Sequence, residues 1–184
     1  DEFTGLLLGL QWQWHAIPSP YWYYVNPSGE GHLRLYSVKQ DKEWKNLGDS
    51  PNLLLQKTPA DRFTATARIS FTPNPQLKEK GENCGFVLMG QDYATVRLTD
   101  TAEGVVLPYI ERKDALKHTE EQVLKTIPME SAPLPMPYSN TYMSTTVPPV
   151  APLAYVATDV FIKMEVKPRE RKGNVPDLTA KFFY

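Results

Sequence analysis

Ten consecutive residues, Arg62 to Phe71 (RFTATARISF), alternate between side chains of opposite character without a break. Phe63, Ala65, Ala67, Ile69 and Phe71 share one side, and Arg62, Thr64, Thr66, Arg68 and Ser70 take the other. A period of two held over this length, rich in Thr and aromatics, specifies a half-buried strand with one wet face. The same period recurs at Leu33 to Val38 and at Val160 to Lys167, where Val160, Ile162, Met164 and Val166 alternate with Phe161, Lys163, Glu165 and Lys167. Gly85 to Met89 and Tyr93 to Leu98 are apolar runs joined by Gly90-Gln91-Asp92, which reads as a tight hairpin. Val105 to Arg112 and Leu178 to Tyr184 add two more strands. Short strands at intervals of about ten to fifteen residues, bounded by Gly, Pro and Asn, predict an all-β antiparallel two-sheet sandwich.

One segment competes for helix. Lys113 to Lys125 (KDALKHTEEQVLK) is made of good helix formers, with Leu116, Val123 and Leu124 loosely on one face. The other reading pairs Val105 to Leu107 with Val123 to Ile127 as a hairpin with a charged tip, and this is favoured over the helix. Pro128 to Tyr155 holds seven of the 17 prolines, which remove ladder donors and fix φ, so no central strand is expected there. The pattern resumes at Val160, so the stretch reads as a long insertion in a single domain spanning residues 1–184.

Composition narrows function. Twenty Lys and Arg balance 21 Asp and Glu, giving a net charge of -1, which argues against nucleic acid or an anionic membrane as the main partner. The longest apolar stretches, such as Gly5 to Leu10, fall far short of the roughly 18 residues of a membrane span. The single cysteine, Cys84, excludes an internal disulfide and a cysteine-rich metal site, and its position before Gly85-Phe86-Val87-Leu88-Met89 predicts a buried, inert thiol. The start at Asp1, without Met, reads as a processed protein or a fragment. No Gly-x-Ser-x-Gly elbow, phosphate-cradling loop or His-Glu-x-x-His helix is found, and His15, His32 and His118 are too scattered to suggest zinc.

The order of several blocks is more specific. Leu8-Gly9-Leu10-Gln11-Trp12-Gln13-Trp14-His15 is followed by a Pro-containing turn and Tyr21-Trp22-Tyr23-Tyr24, then Gly31-His32-Leu33-Arg34-Leu35 and Asn52-Leu53-Leu54-Leu55-Gln56. Phe63-Thr64-Ala65-Thr66 and Gly85 to Ala94, ending in Gly90-Gln91-Asp92-Tyr93-Ala94, complete the series. This order resembles the C-terminal concanavalin-like domain of family 43 glycoside hydrolases, the group of β-xylosidases and α-L-arabinofuranosidases. The match runs over roughly residues 1–100, thins from Thr101 to Tyr155 and returns weakly from Val160. Two departures stand out: members usually continue past the strand matching Ala180 to Tyr184, so closing strands are expected to be missing, and the Pro-rich segment is longer than usual.

The resemblance implies a jelly-roll sandwich behind a five-bladed propeller that performs the hydrolysis and owns the catalytic acids. The residues agree, because glycoside hydrolysis needs two carboxyl groups about 5 to 10 Å apart, one with a raised pKa. The acids here fall in charged turns that read as solvated tips: Asp41, Glu43, Asp49, Glu79, Glu82, Asp114, Glu120 and Glu121. No catalytic residue is assigned. The expected role is that of a non-catalytic accessory domain that packs on the propeller and shapes the active-site rim; the alternative is an independent carbohydrate-binding module for xylan or arabinan. The implied partners are the propeller of the same polypeptide and plant cell-wall oligo- or polysaccharide, with no nucleic acid and no membrane. An extracellular or periplasmic location follows from such substrates, with the cytoplasm as the alternative. No cofactor is expected, although a structural calcium bound by Asp1 and Glu2 is left open.

The aromatics supply the candidate site. Trp12 and Trp14, two apart, would share a strand face with Leu10 and fill the sandwich core. Tyr21, Trp22, Tyr23 and Tyr24 cannot all point inward, so some must be exposed, where they can stack on pyranose rings or anchor an interface. Asp92 is read as a turn former first and a sugar-hydroxyl acceptor second. Trp14, His15, Tyr21 and Trp22 are expected at or near the junction with the catalytic domain, in a loop stiffened by proline.

Overall fold

The computed structural model describes residues 1–134, 155–168 and 178–184. Within them the chain forms strands β1 (Gln13–Trp14), β2 (Tyr23–Asn26), β3 (His32–Leu35), β4 (Leu54–Leu55), β5 (Phe63–Phe71) and β6 (Asn83–Leu88). There follow β7 (Tyr93–Thr101), β8 (Gly104–Arg112), β9 (Gln122–Pro128), β10 (Ala132–Pro133), β11 (Val156–Pro168) and β12 (Leu178–Phe183). Two single 3-10 turns, Leu47–Asp49 and Ala115–Lys117, interrupt the loops. Most of the insertion expected at residues 128–155 lies outside the described residues. Among the described residues no helix is long and apolar enough to cross a membrane.

Four consecutive strands build one antiparallel sheet in the order β6-β7-β8-β9. The β7–β8 turn closes on Gly104 at φ 126°, a backbone conformation open to glycine and strained for other residues. In the second sheet β11 is central: β5 pairs with Thr158 to Val166, and β12 takes the other edge from Lys163 to Pro168. The pairs β1–β4 and β2–β3 are separate two-stranded ribbons.

The two larger sheets pack face to face through one cluster, with Val96, Leu98, Val105 and Leu107 meeting Phe71, Val160 and Ile162. Leu98 and Ile162 are fully inaccessible, and burial of such a side chain stabilises by about 1.5–3 kcal/mol. The alternation in β5 and β11 therefore points where the sequence predicts: Phe71, Val160, Ile162, Met164 and Val166 are buried, while Thr64, Thr66, Arg68 and Ser70 stay wet. Cys84 packs against the same core, and burial pushes its thiol pKa up to about 12, so it stays protonated and inert.

One open reading is settled and two expectations need adjustment. The segment at Lys113 to Lys125 resolves as the favoured hairpin: β8 pairs with β9, and only Ala115–Lys117 turns helically. Tertiary pairing overrides helix propensity there, and a bulge around Leu124 irregularises what is an edge strand. The strand expected at Leu33 to Val38 ends at Leu35 and joins a ribbon, with Leu35 about half exposed. The paired tryptophans do not fill the core. Trp12 sits in a turn, its amide bonded to Gly9 O at 3.1 Å, and Leu10 is wholly exposed. A two-residue β1 is too short to impose a strand face on Leu10, Trp12 and Trp14 together.

Candidate functional site

The first 36 residues gather two kinds of side chain. One is an ordered aromatic cluster: the Trp14 ring meets Trp22 edge-on at 5.6 Å between centroids and lies tilted against Tyr23 at 5.4 Å. The other is a set of apolar groups left in water. Leu6 and Leu7 are each 79% exposed, Ile17 92% and Tyr21 84%. Of the 17 large hydrophobic side chains exposed among the described residues, eight lie between Leu6 and Tyr36. Scattered single exposures are ordinary; here nearly half of them fall in one short segment. A groove of about 370 Å³ lined by Leu6, Leu7, Pro20, Tyr23, Tyr24 and Val25 opens within it.

Local bonds hold this loop in shape. Trp22 N donates to Ser19 O at 3.1 Å, Tyr21 N to the Ser19 hydroxyl at 3.3 Å and Tyr36 N to Trp22 O at 2.9 Å. His15 is fastened twice to the passing chain: its amide donates to Leu53 O at 2.9 Å, and its ring Nδ1 lies 2.9 Å from Ser50 O. A carbonyl only accepts, so Nδ1 carries the hydrogen in this contact. The N-terminal turn is closed by Asp1, a candidate calcium donor: Oδ1 accepts from Phe3 N, and Oδ2 from Gln11 Nε2 and Trp12 Nε1 at 2.9 Å each.

The candidates therefore separate. Trp14 ends β1, and His15, Tyr21 and Trp22 follow it in the loop to β2, with Trp14 and Trp22 in contact, His15 acting as a tether and Tyr21 open to solvent. Asp92 serves another junction: its Oδ1 accepts from Asp114 N at 2.8 Å, and Gln91 O accepts from Ala115 N at 2.8 Å, tying the β6–β7 turn to the β8–β9 loop. Sequence reasoning missed Leu6, Leu7, Leu10 and Ile17. For Leu6 and Leu7 the signal was the apolar run Gly5 to Leu10, weighed as a membrane span, while Leu10 was placed on a core-facing strand.

It also missed a buried polar cluster. On the sheet face opposite the core, the Glu121 carboxylate takes a bond from Arg97 Nη2 and another from the Tyr93 hydroxyl at 2.6 Å. The Tyr93 oxygen in turn accepts from Leu47 N at 2.9 Å. Burial first, and then the Glu121 carboxylate, push the Tyr93 pKa up. Glu121 is thus no solvated tip: its side chain is 11% exposed and that of Arg97 10%. Gly85 makes the close approach possible, since a Cβ there would stand 2.5 Å from Arg97 Cα. Among the described residues no group of three His, Cys, Asp or Glu is placed to hold a metal ion.

The comparisons with known proteins fit this architecture. The family model described as the beta xylosidase C-terminal concanavalin A-like domain matches residues 1–147 of the 184. No curated protein and no solved structure matches significantly. The matched span takes in the amino-terminal ribbons and the whole β6–β9 sheet. With an all-β, antiparallel two-sheet sandwich under it, the chain belongs to the beta xylosidase C-terminal concanavalin A-like domain family.

Proposed function

We propose that this chain is a non-catalytic accessory domain of a family 43 glycoside hydrolase, which docks its amino-terminal face on the catalytic propeller and helps shape the active-site rim. The observation that carries the reading is the exposed apolar set from Leu6 to Tyr36 around the fixed Trp14–Trp22–Tyr23 cluster. Aromatic anchors in a pre-organised loop lose little entropy on docking and carry a large share of interface energy. The parent enzyme then acts on xylosides or arabinosides of plant cell walls, met outside the cytoplasm. Against a sugar platform at this place, Trp14, Trp22 and Tyr23 are half-buried against one another, with little ring face left for a pyranose. In the full-length enzyme, Tyr21→Ala and Trp22→Ala are expected to raise KM or lower kcat for short xylosides or arabinosides. If both variants keep wild-type kinetics and thermal stability, the docking face lies elsewhere.

A further inference from the structure

The second sheet ends in an unguarded strand. β11 holds β5 along Thr158 to Val166 on one side and β12 along Lys163 to Pro168 on the other, so β5 is outermost. Among the described residues no backbone bond reaches the outer side of β5. Its nine residues, Phe63–Phe71, therefore present about 30 Å of unpaired edge. Such an edge is a template for another strand, and folded proteins blunt it with proline, a bulge, shortness or an inward-pointing charge. β9, at the edge of the other sheet, is bulged around Leu124 and ends in Pro128. β5 has none of these guards. It pairs with β11 residue for residue over all nine positions, contains no proline, and points Phe63, Ala65, Ala67, Ile69 and Phe71 inward.

We propose that the outer edge of β5 is a self-association site, where β5 pairs antiparallel with β5 of a second copy about a two-fold axis at Ala67. The strand matches itself when reversed: Phe63 meets Phe71, Thr64 meets Ser70, Ala65 meets Ile69, Thr66 meets Arg68 and Ala67 meets itself. Inward side chains thus face inward ones, wet ones face wet ones, and no like charges stand directly opposite. The two Arg68 side chains are diagonal neighbours, about 7–8 Å apart and long enough to swing into solvent. The register is specific. A shift of two in one direction sets Arg68 opposite itself, and in the other it sets Phe71 opposite Asp61. Pairing extends the four-stranded sheet into a continuous one and covers the edge in both copies at once. The contact shares no residue with the docking face of Leu6 to Tyr36 and does not depend on it.

Sedimentation of the chain carrying Leu7→Gln and Ile17→Gln, which blunts the amino-terminal face, tests the contact apart from that face. The expected species is a dimer with a dissociation constant of about 10–100 µM, as suits an interface below the standard size. In that background Thr66→Lys sets like charges opposite each other twice and should weaken the dimer at least tenfold. An equimolar mixture of Thr66→Lys with Arg68→Glu should form a heterodimer tighter than either variant alone. Such a rescue in trans cannot come from relief within one chain. Thr66 also pairs with Lys163 of its own chain, so Thr66→Lys is accompanied by a Tm measurement. Thr66→Glu opposes both Lys163 and Arg68 of the second copy and should tighten the dimer several-fold. The proposal is overturned by a monomer at about 500 µM, by equal affinity in Thr66→Lys, by no gain on mixing, or by unchanged or weaker association in Thr66→Glu.

Discussion

At the scale of single residues the sharpest arrangement is the carboxylate of Glu121, held between Arg97 and Tyr93 away from water. A buried ion pair attracts strongly, but each member has lost its hydration, so removing one partner leaves the other stranded. Among the described residues, Arg97 Nη1 and Arg112 Nε already stand buried without a protein partner, which makes this corner poor in spare acceptors. Glu121→Ala is therefore expected to lower unfolding free energy by about 3–5 kcal/mol, read from urea melts. Arg97→Leu combined with Glu121→Leu should cost clearly less than the sum of the single changes, because no lone charge remains. None of this was legible in the sequence. Glu121 sits in a charged run whose neighbours Glu120 and Gln122 are exposed, and its partner is 24 residues away on β7. Cys84, by contrast, was legible, since the apolar run beside it marks the wall it packs into.

At the scale of elements the strands with a long period of two were readable because their surroundings are two-sided. β5 and β11 have core on one face and water on the other, so the pattern and the environment share a period. The amino-terminal ribbons are too short and too far from the core for that filter, and the pattern of Leu10, Trp12 and Trp14 misleads there. The β8–β9 loop shows a different device. Asn46, fully buried, accepts from Gly48 N at 2.8 Å and donates to Ala115 O and Thr119 O, while Asp49 meets the His118 ring. Partial burial alone would raise the Asp49 pKa, but the Lys45 and Asn46 amides and the His118 ring outweigh it, and the net shift is downward. A depressed carboxylate pKa contributes stability that is fully present above its ordinary 3.8 and lost as pH falls through the folded value. Asp49→Asn should flatten the acid limb of a Tm profile recorded between about pH 1 and pH 5. An acid limb as steep as that of the wild type would show that the latch does not titrate.

At the scale of the whole molecule, eight of the 17 exposed large hydrophobics among the described residues crowd into the amino-terminal 36 residues, while the wet face of β5 carries none. On its own, the chain should self-associate through that segment. Leu7→Gln together with Ile17→Gln is expected to leave unfolding within about 0.5 kcal/mol of wild type, as exposed sites do, while shifting sedimentation toward monomer. Unchanged sedimentation would place the sticky surface elsewhere. The two sheets also differ in when they can exist. The β6–β9 sheet closes hairpin by hairpin as its strands appear, but Phe71 waits for Thr158, 87 positions later, before β5 gains its neighbour. On a ribosome adding about 5–20 residues per second, that is roughly 4–17 s with the hydrogen-bonding edge of β5 lacking its partner. That interval follows from the order of the strands, so stronger contacts would not shorten it. During translation this is the stretch that a chaperone has most reason to hold.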